Sequence, residues 1–104
     1  MLTYSVTVGI DAEVEPEWVS WMGRIHIPEV LATRRFGGFR FRKMLEPRPE
    51  SGRAVYVIEY EISSMAQLKA YQELEAPRLQ AEHAERFAGR FEASRAVLDD
   101  IQVY

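Results

Sequence analysis

The sequence predicts an α+β fold: one four-stranded antiparallel sheet with helices on one face, in the order strand, helix, strand, strand, helix, strand. Three observations carry this. Residues 2–10 alternate large apolar and small side chains with a period of two. Residues 18–31 and 65–87 place apolar side chains at helical spacing. Residues 53–62, RAVYVIEYEI, form a second strongly alternating run after a proline- and glycine-rich turn.

In the first strand Leu2, Tyr4, Val6, Val8 and Ile10 line one face, and Thr3, Ser5, Thr7 and Gly9 the other. The second face is small and uncharged, which suits a surface that something else approaches closely. Asp11, Glu13, Glu15 and Glu17 around Pro16 then mark a helix start, where carboxylates and proline both suit free N–H groups. They read as a solvated cluster without calcium-loop spacing. In WVSWMGRIHIPEVLATRRF, residues 18–36, Trp18, Trp21, Met22 and Ile25 share one helical face, with His26 at its flank. Pro28 donates no N–H and disfavours helical geometry at Ile27, so the helix is expected to bend or break there. His26 then lies at a corner.

Residues 36–46 read as the second strand, with Phe39 and Phe41 facing one way and Arg40 and Arg42 the other. Residues 46–52 are a turn. In the third strand Tyr56, Ile58, Tyr60 and Ile62 oppose Val55, Val57, Glu59 and Glu61. Its first half is apolar on both faces, as in a central strand. Ser64 with Gln67 resembles a capping box for a helix carrying Met65, Leu68 and Tyr71. Pro77 opens a second piece in which Leu79, His83 and Phe87 recur every four residues, and Gly89 ends it. Residues 90–98 are the last strand. The whole is a ferredoxin-like βαββαβ domain spanning residues 1–104.

Helices on one side leave the other side of the sheet bare. The bare face is expected to carry Val55 and Val57, then Glu59 and Glu61. Such a face is unusual on a monomer, and a two-fold, sheet-to-sheet homodimer hides it. The chain of 104 residues fits one domain. A formal net charge of −3 argues against a general phosphate-backbone binder. The lack of cysteine excludes disulfides, thiolate nucleophiles and cysteine metal sites. The first residues alternate and lack a basic start, so they read as strand and not as a signal peptide. No stretch approaches a membrane span. A cytoplasmic protein is the expectation.

The pattern Trp18-x-x-Trp21-Met22-x-x-x-His26-Ile27-Pro28-x-Val30-Leu31-x-Thr33-x-x-Phe36, with Ala76-Pro77-x-Leu79-x-x-Glu82-His83-x-x-Arg86-Phe87, resembles a small bacterial family known as a domain of unknown function. The resemblance covers nearly the whole chain. It places the chain in the wider dimeric α/β-barrel class, whose ferredoxin-like halves pair through their sheets. That class includes small monooxygenases, isomerases and haem-handling proteins, so the resemblance implies the dimer and leaves the reaction open. The His-x-Pro after the first helix is similar to that of some ring-degradation proteins of the class, which adds weight to an enzyme.

Among candidate residues, His26 suits a general base because its pKa lies near neutrality. The plainer alternative is that it ties down carbonyls freed by Pro28. His83, between Leu79 and Phe87, reads first as a packed or interface histidine; a shared cavity with His26 would reverse that reading. Two histidines without a carboxylate triad do not make a metal site, and no cofactor is expected. Trp21, Tyr60, Tyr71 and His83 are the candidate ligand-binding residues, although helical and strand spacing alone gives Trp18, Trp21, Met22 and the tyrosines a place in the core. The aromatic-basic run RRFGGFRFRKM is similar to the strand of RNA-binding ferredoxin-like domains, but it falls on the second strand. A cross-strand ladder of Arg40 and Arg42 with Glu59 and Glu61 accounts for it. The leading expectation is a homodimer binding a small, largely apolar ligand. The alternative is a cofactor-independent monooxygenase or isomerase acting on an aromatic small molecule with His26 as base. An RNA-binding domain comes third.

Overall fold

The computed structural model describes residues 1–103. Among them, four strands form one antiparallel sheet in the order β2-β3-β1-β4: β1 (Leu2–Asp11), β2 (Phe36–Lys43), β3 (Arg53–Ile62) and β4 (Phe91–Asp99). The helical layer contains α1 (Glu15–Trp21), α2 (Ile27–Ala32), α3 (Met65–Leu74) and α4 (Ala76–Arg86). The Cα extents are 41 × 35 × 19 Å, a slab two layers thick. This is the ferredoxin-like arrangement, and it leaves one face of the sheet without a covering layer.

Pairing settles which face that is. Tyr4, Val8 and Ile10 stand beside Tyr60, Tyr56 and Ala54, and all six are buried under the helices. Thr3, Ser5, Thr7 and Gly9 therefore lie on the bare face with Val55, Val57, Glu59 and Glu61. Phe41 faces the helices, 5.8 Å from Trp18. Arg42 pairs with Glu59 on the bare face. The expected ladder is thus half made, because Arg40 is opposite Glu59 in register yet forms no ion pair among the described residues.

The chain does not break at Pro28. Residues Met22–His26 instead form a widened π turn, in which the Ile27 N–H reaches back to the Met22 carbonyl. Ile27 keeps helical angles (φ −60°, ψ −45°) and α2 follows directly. The wider turn before the proline gives its ring room while the helix runs on. It also rotates the face. Trp18 and Met22 are buried, whereas Ile25 is 45% exposed and leaves the expected apolar stripe.

The acidic start is not merely solvated. Asp11 pairs with Arg53 and Arg90, Glu13 with Arg90, Glu15 with Lys43, and Glu17 with Arg86. Glu15 also accepts from the Tyr56 hydroxyl at 2.6 Å. The cluster ties the first helix to β2, β3 and α4. Ser64 caps α3 by accepting from the Gln67 N–H at 3.2 Å. Gly89 takes φ +72° in the turn between α4 and β4, where a side chain is strained. No helix among the described residues is long and apolar enough to cross a membrane.

Candidate functional site

The helices cover β1 and β3 and stop short of β4, whose residues are exposed apart from half-buried Phe91. A cavity of about 320 Å³ opens there, between the π turn, α4 and the sheet. Its apolar wall is Val6, Val8, Met22 and Phe91; its polar groups include His26, His83, Gln80 and Arg95. An inner recess of about 40 Å³ shares Val6, Met22, His26, Gln80 and Arg95, and adds Tyr4, Tyr60 and Tyr71.

The two histidines, 57 positions apart in the chain, meet here with ring centroids 5.7 Å apart. The π turn delivers His26. The four-residue spacing of Leu79, His83 and Phe87 brings His83 to the inner face of α4, where all three are buried. The Trp18 indole N–H donates to His83 Nε2 at 2.9 Å. An indole only donates, so Nε2 is an acceptor and the ring proton resides on Nδ1. Phe91 closes on the same ring edge-to-face at 4.3 Å.

His26 Nδ1 is buried and has no hydrogen-bond partner among the described residues. An orphaned acceptor is tolerated better than an orphaned N–H. The ring proton therefore belongs on Nε2. His26 was expected to hold down freed carbonyls, and no such hydrogen bond forms among the described residues. Burial pulls the His26 pKa down to about 4; Glu82 opposes this and the Arg95 cation adds to it. Burial does the same for His83, to about 4, helped by His26 and Arg95. Both rings are neutral at pH 7.

Arg95 is opposite Val6, on the same face as Phe91, Ala93 and Val97. It makes no ion pair among the described residues. Its guanidinium lies beside the Tyr4 phenol and partly offsets the upward push of burial on that hydroxyl. Burial also raises Tyr60 and Tyr71, each pushed further by neighbouring phenols. All three tyrosines are therefore protonated at pH 7.

Of the residues singled out from sequence, His26 lines both the cavity and the recess, His83 the cavity, and Tyr60 and Tyr71 the recess. Trp21 lines neither. It stacks on the outer side of His26 at 5.2 Å and 25°, and leans on His83 at 5.8 Å, so it buttresses both rings from outside the cavity. Arg95, Gln80 and Phe91 were missed. The signal for Arg95 was present in strand parity: one cation in the otherwise apolar row Phe91, Ala93, Val97. Among the described residues no three His, Asp or Glu side chains converge to hold a metal ion.

The fold is shared with solved structures of low sequence identity. The Arabidopsis thaliana protein At3g17210 matches with TM-score 0.74 and 14% identity over 100% of this chain and 99% of that one. A Deinococcus radiodurans protein described as a putative antibiotic biosynthesis monooxygenase matches with TM-score 0.65 and 11% identity over 100% and 96%. A dimeric ferredoxin-like protein from an uncultured marine organism matches with TM-score 0.66 and 12% identity over 100% and 98%. No curated protein matches the sequence. A family model does match, across residues 1–101, and the chain belongs to that family, the Domain of unknown function (DUF4286).

Proposed function

We propose that this protein is a homodimeric module that holds a small, largely apolar ligand in the cavity between the helices and strands β1 and β4. One observation carries the reading: residues from the π turn, α4 and β4 bring His26, His83 and Arg95 together over an apolar wall, in a space of about 320 Å³. Clefts of roughly 300–1,000 Å³ with few polar groups are the usual form of small-molecule sites.

The dimer rests on the bare face. Its small Thr3, Ser5, Thr7 and Gly9 beside Val55 and Val57 permit close sheet-on-sheet approach. A protein of the same fold is described as dimeric. A formal net charge of −3 disfavours the RNA reading. Light scattering at micromolar concentration is expected to give the mass of two chains; a single-chain mass contradicts the dimer.

The ligand site is tested by calorimetric titration with 2-naphthoate and 2-naphthamide. At least one is expected to saturate at one per chain. Ala93, an exposed residue of the cavity floor, can be enlarged at small cost to the fold; Ala93→Trp is expected to weaken binding at least about tenfold. Heat with neither probe, or unchanged affinity in Ala93→Trp, contradicts the site.

A second reading is a cofactor-independent monooxygenase or isomerase with His26 as base, favoured by the place of His26 in a π turn at the cavity, beside a second imidazole; it requires the opposite tautomer, with Nε2 free to accept the substrate proton. A pKa of about 4 makes the His26 imidazole a weak base. Proton abstraction then depends on Arg95 to hold the resulting anion.

A further inference from the structure

We infer that the ligand is a planar acid whose carboxylate or ionised phenol oxygens bridge Arg95 and the two imidazoles, with its ring directed toward the recess of Tyr4, Tyr60 and Tyr71. This rests on the reading of the cavity as a ligand site. It adds the charge and the orientation of what binds.

The polar groups of the cavity point to an anion because those nearest one another all donate. His83 spends its one acceptor, Nε2, on the Trp18 indole, and its proton is on Nδ1. His26 buries Nδ1 without a partner, which leaves Nε2–H for the cavity. Arg95 supplies N–H donors only. Two neutral imidazole donors and one guanidinium around a common space match the lone pairs of a carboxylate. A neutral, acceptor-poor ligand leaves them unanswered, at the cost of desolvating each.

The charge balance points the same way. Arg35, Arg42, Arg53, Arg78, Arg86 and Arg90 each have a carboxylate partner; Arg24, Arg34, Arg40 and Arg48 have none among the described residues, but none of those four lines the cavity. Arg95, the cation of the cavity, has none among the described residues. Glu92 at the rim is turned to Arg53 at 3.8 Å. The positive potential left over contributes to holding both imidazoles unprotonated. An anion beside Arg95 neutralises it. Guanidinium–carboxylate pairs bond through two parallel N–H donors, which also fixes the plane of the ligand. The half-enclosed apolar wall then accepts a flat ring between Met22 and the sheet.

The test compares 2-naphthoate with its neutral isostere 2-naphthamide, by calorimetry, on the wild-type chain and on Arg95→Met. In the wild type the acid is expected to bind at least about tenfold more tightly than the amide. Arg95→Met is expected to weaken the acid by at least about tenfold and to change the amide less than about threefold. Arg95 is exposed on an edge strand, so the variant is expected to fold, and a circular dichroism melt checks it. The wild-type comparison needs no variant. Equal affinity for acid and amide overturns the inference while leaving the cavity reading in place, provided Ala93→Trp still blocks both. An acid preference that survives in folded Arg95→Met also overturns it. Absence of binding by either compound removes the inference together with the reading beneath it.

Discussion

Replacing Trp18 with alanine is expected to lower the unfolding free energy by about 3–5 kcal/mol. Trp18 has no exposed surface. Its ring packs on Tyr56 at 5.1 Å and Phe41 at 5.8 Å, joining α1 to β3 and β2. Its indole N–H is the donor to His83 Nε2. The alanine variant loses the buried area, leaves a hole and strands a buried acceptor. A domain has roughly 5–15 kcal/mol of stability in all, so this variant stands near the threshold of folding. Trp18→Phe separates the parts: it keeps a ring in the core and removes the N–H, for about 1–3 kcal/mol. It also releases the His83 tautomer, and so disturbs the site from behind. Urea unfolding followed by circular dichroism measures both. A loss below about 1 kcal/mol for Trp18→Ala is incompatible with the packing described.

Acid is expected to unfold this protein through its histidines before its carboxylates titrate. Both folded pKa values are near 4, against about 6.5 in the unfolded chain. Between those values the unfolded chain binds more protons than the folded one, so stability falls as pH falls. It is fully present above about pH 6.5 and declines toward pH 4. From pH 7 to pH 5 each histidine accounts for about 2 kcal/mol of loss. Glu15, held low by Lys43 and by the Tyr56 hydroxyl, adds its loss only in more acidic solution. Urea midpoints at pH 7, 6 and 5 give the slope. His26→Gln is expected to remove about half of it. A slope that is absent, or unchanged in His26→Gln, shows that the imidazoles are not buried as described.

The alternation in residues 2–10 and 53–62 made the strands legible, because a period of two has one structural meaning when one face is buried. Which face of β1 the helices cover was not legible from that strand's parity; only the third strand, with Val55, Val57, Glu59 and Glu61 on one side, pointed to it. It follows from the register that puts Tyr4 beside Tyr60, and register is a property of two distant segments. The π turn escaped for a related reason. Pro28 signals a disturbed helix without saying whether it breaks or widens; in the fold Met22 and Ile27, at either end of the widened turn, are both buried. At the site, His26 and His83 could each be named, yet their meeting depends on α4 lying beside the π turn. Trp21, a candidate ligand-binding residue whose helical spacing also gives it a place in the core, stacks behind the histidines and does not line this cavity. The acidic run was misread as solvated because its partners Arg53, Lys43, Arg86 and Arg90 come from remote positions. Arg95 was overlooked because a single cation in an edge strand ordinarily faces water.

The chain has only two histidines, so nitrogen-15 labelling of histidine reads the proposed site with no other signal from that residue type. At pH 7 both rings are expected to be neutral, His83 protonated at Nδ1 and His26 at Nε2, and both sets of resonances are expected to shift together on addition of 2-naphthoate. Rings that titrate near pH 6.5, and that stay unmoved when 2-naphthoate is added, contradict the shared cavity on which this account rests.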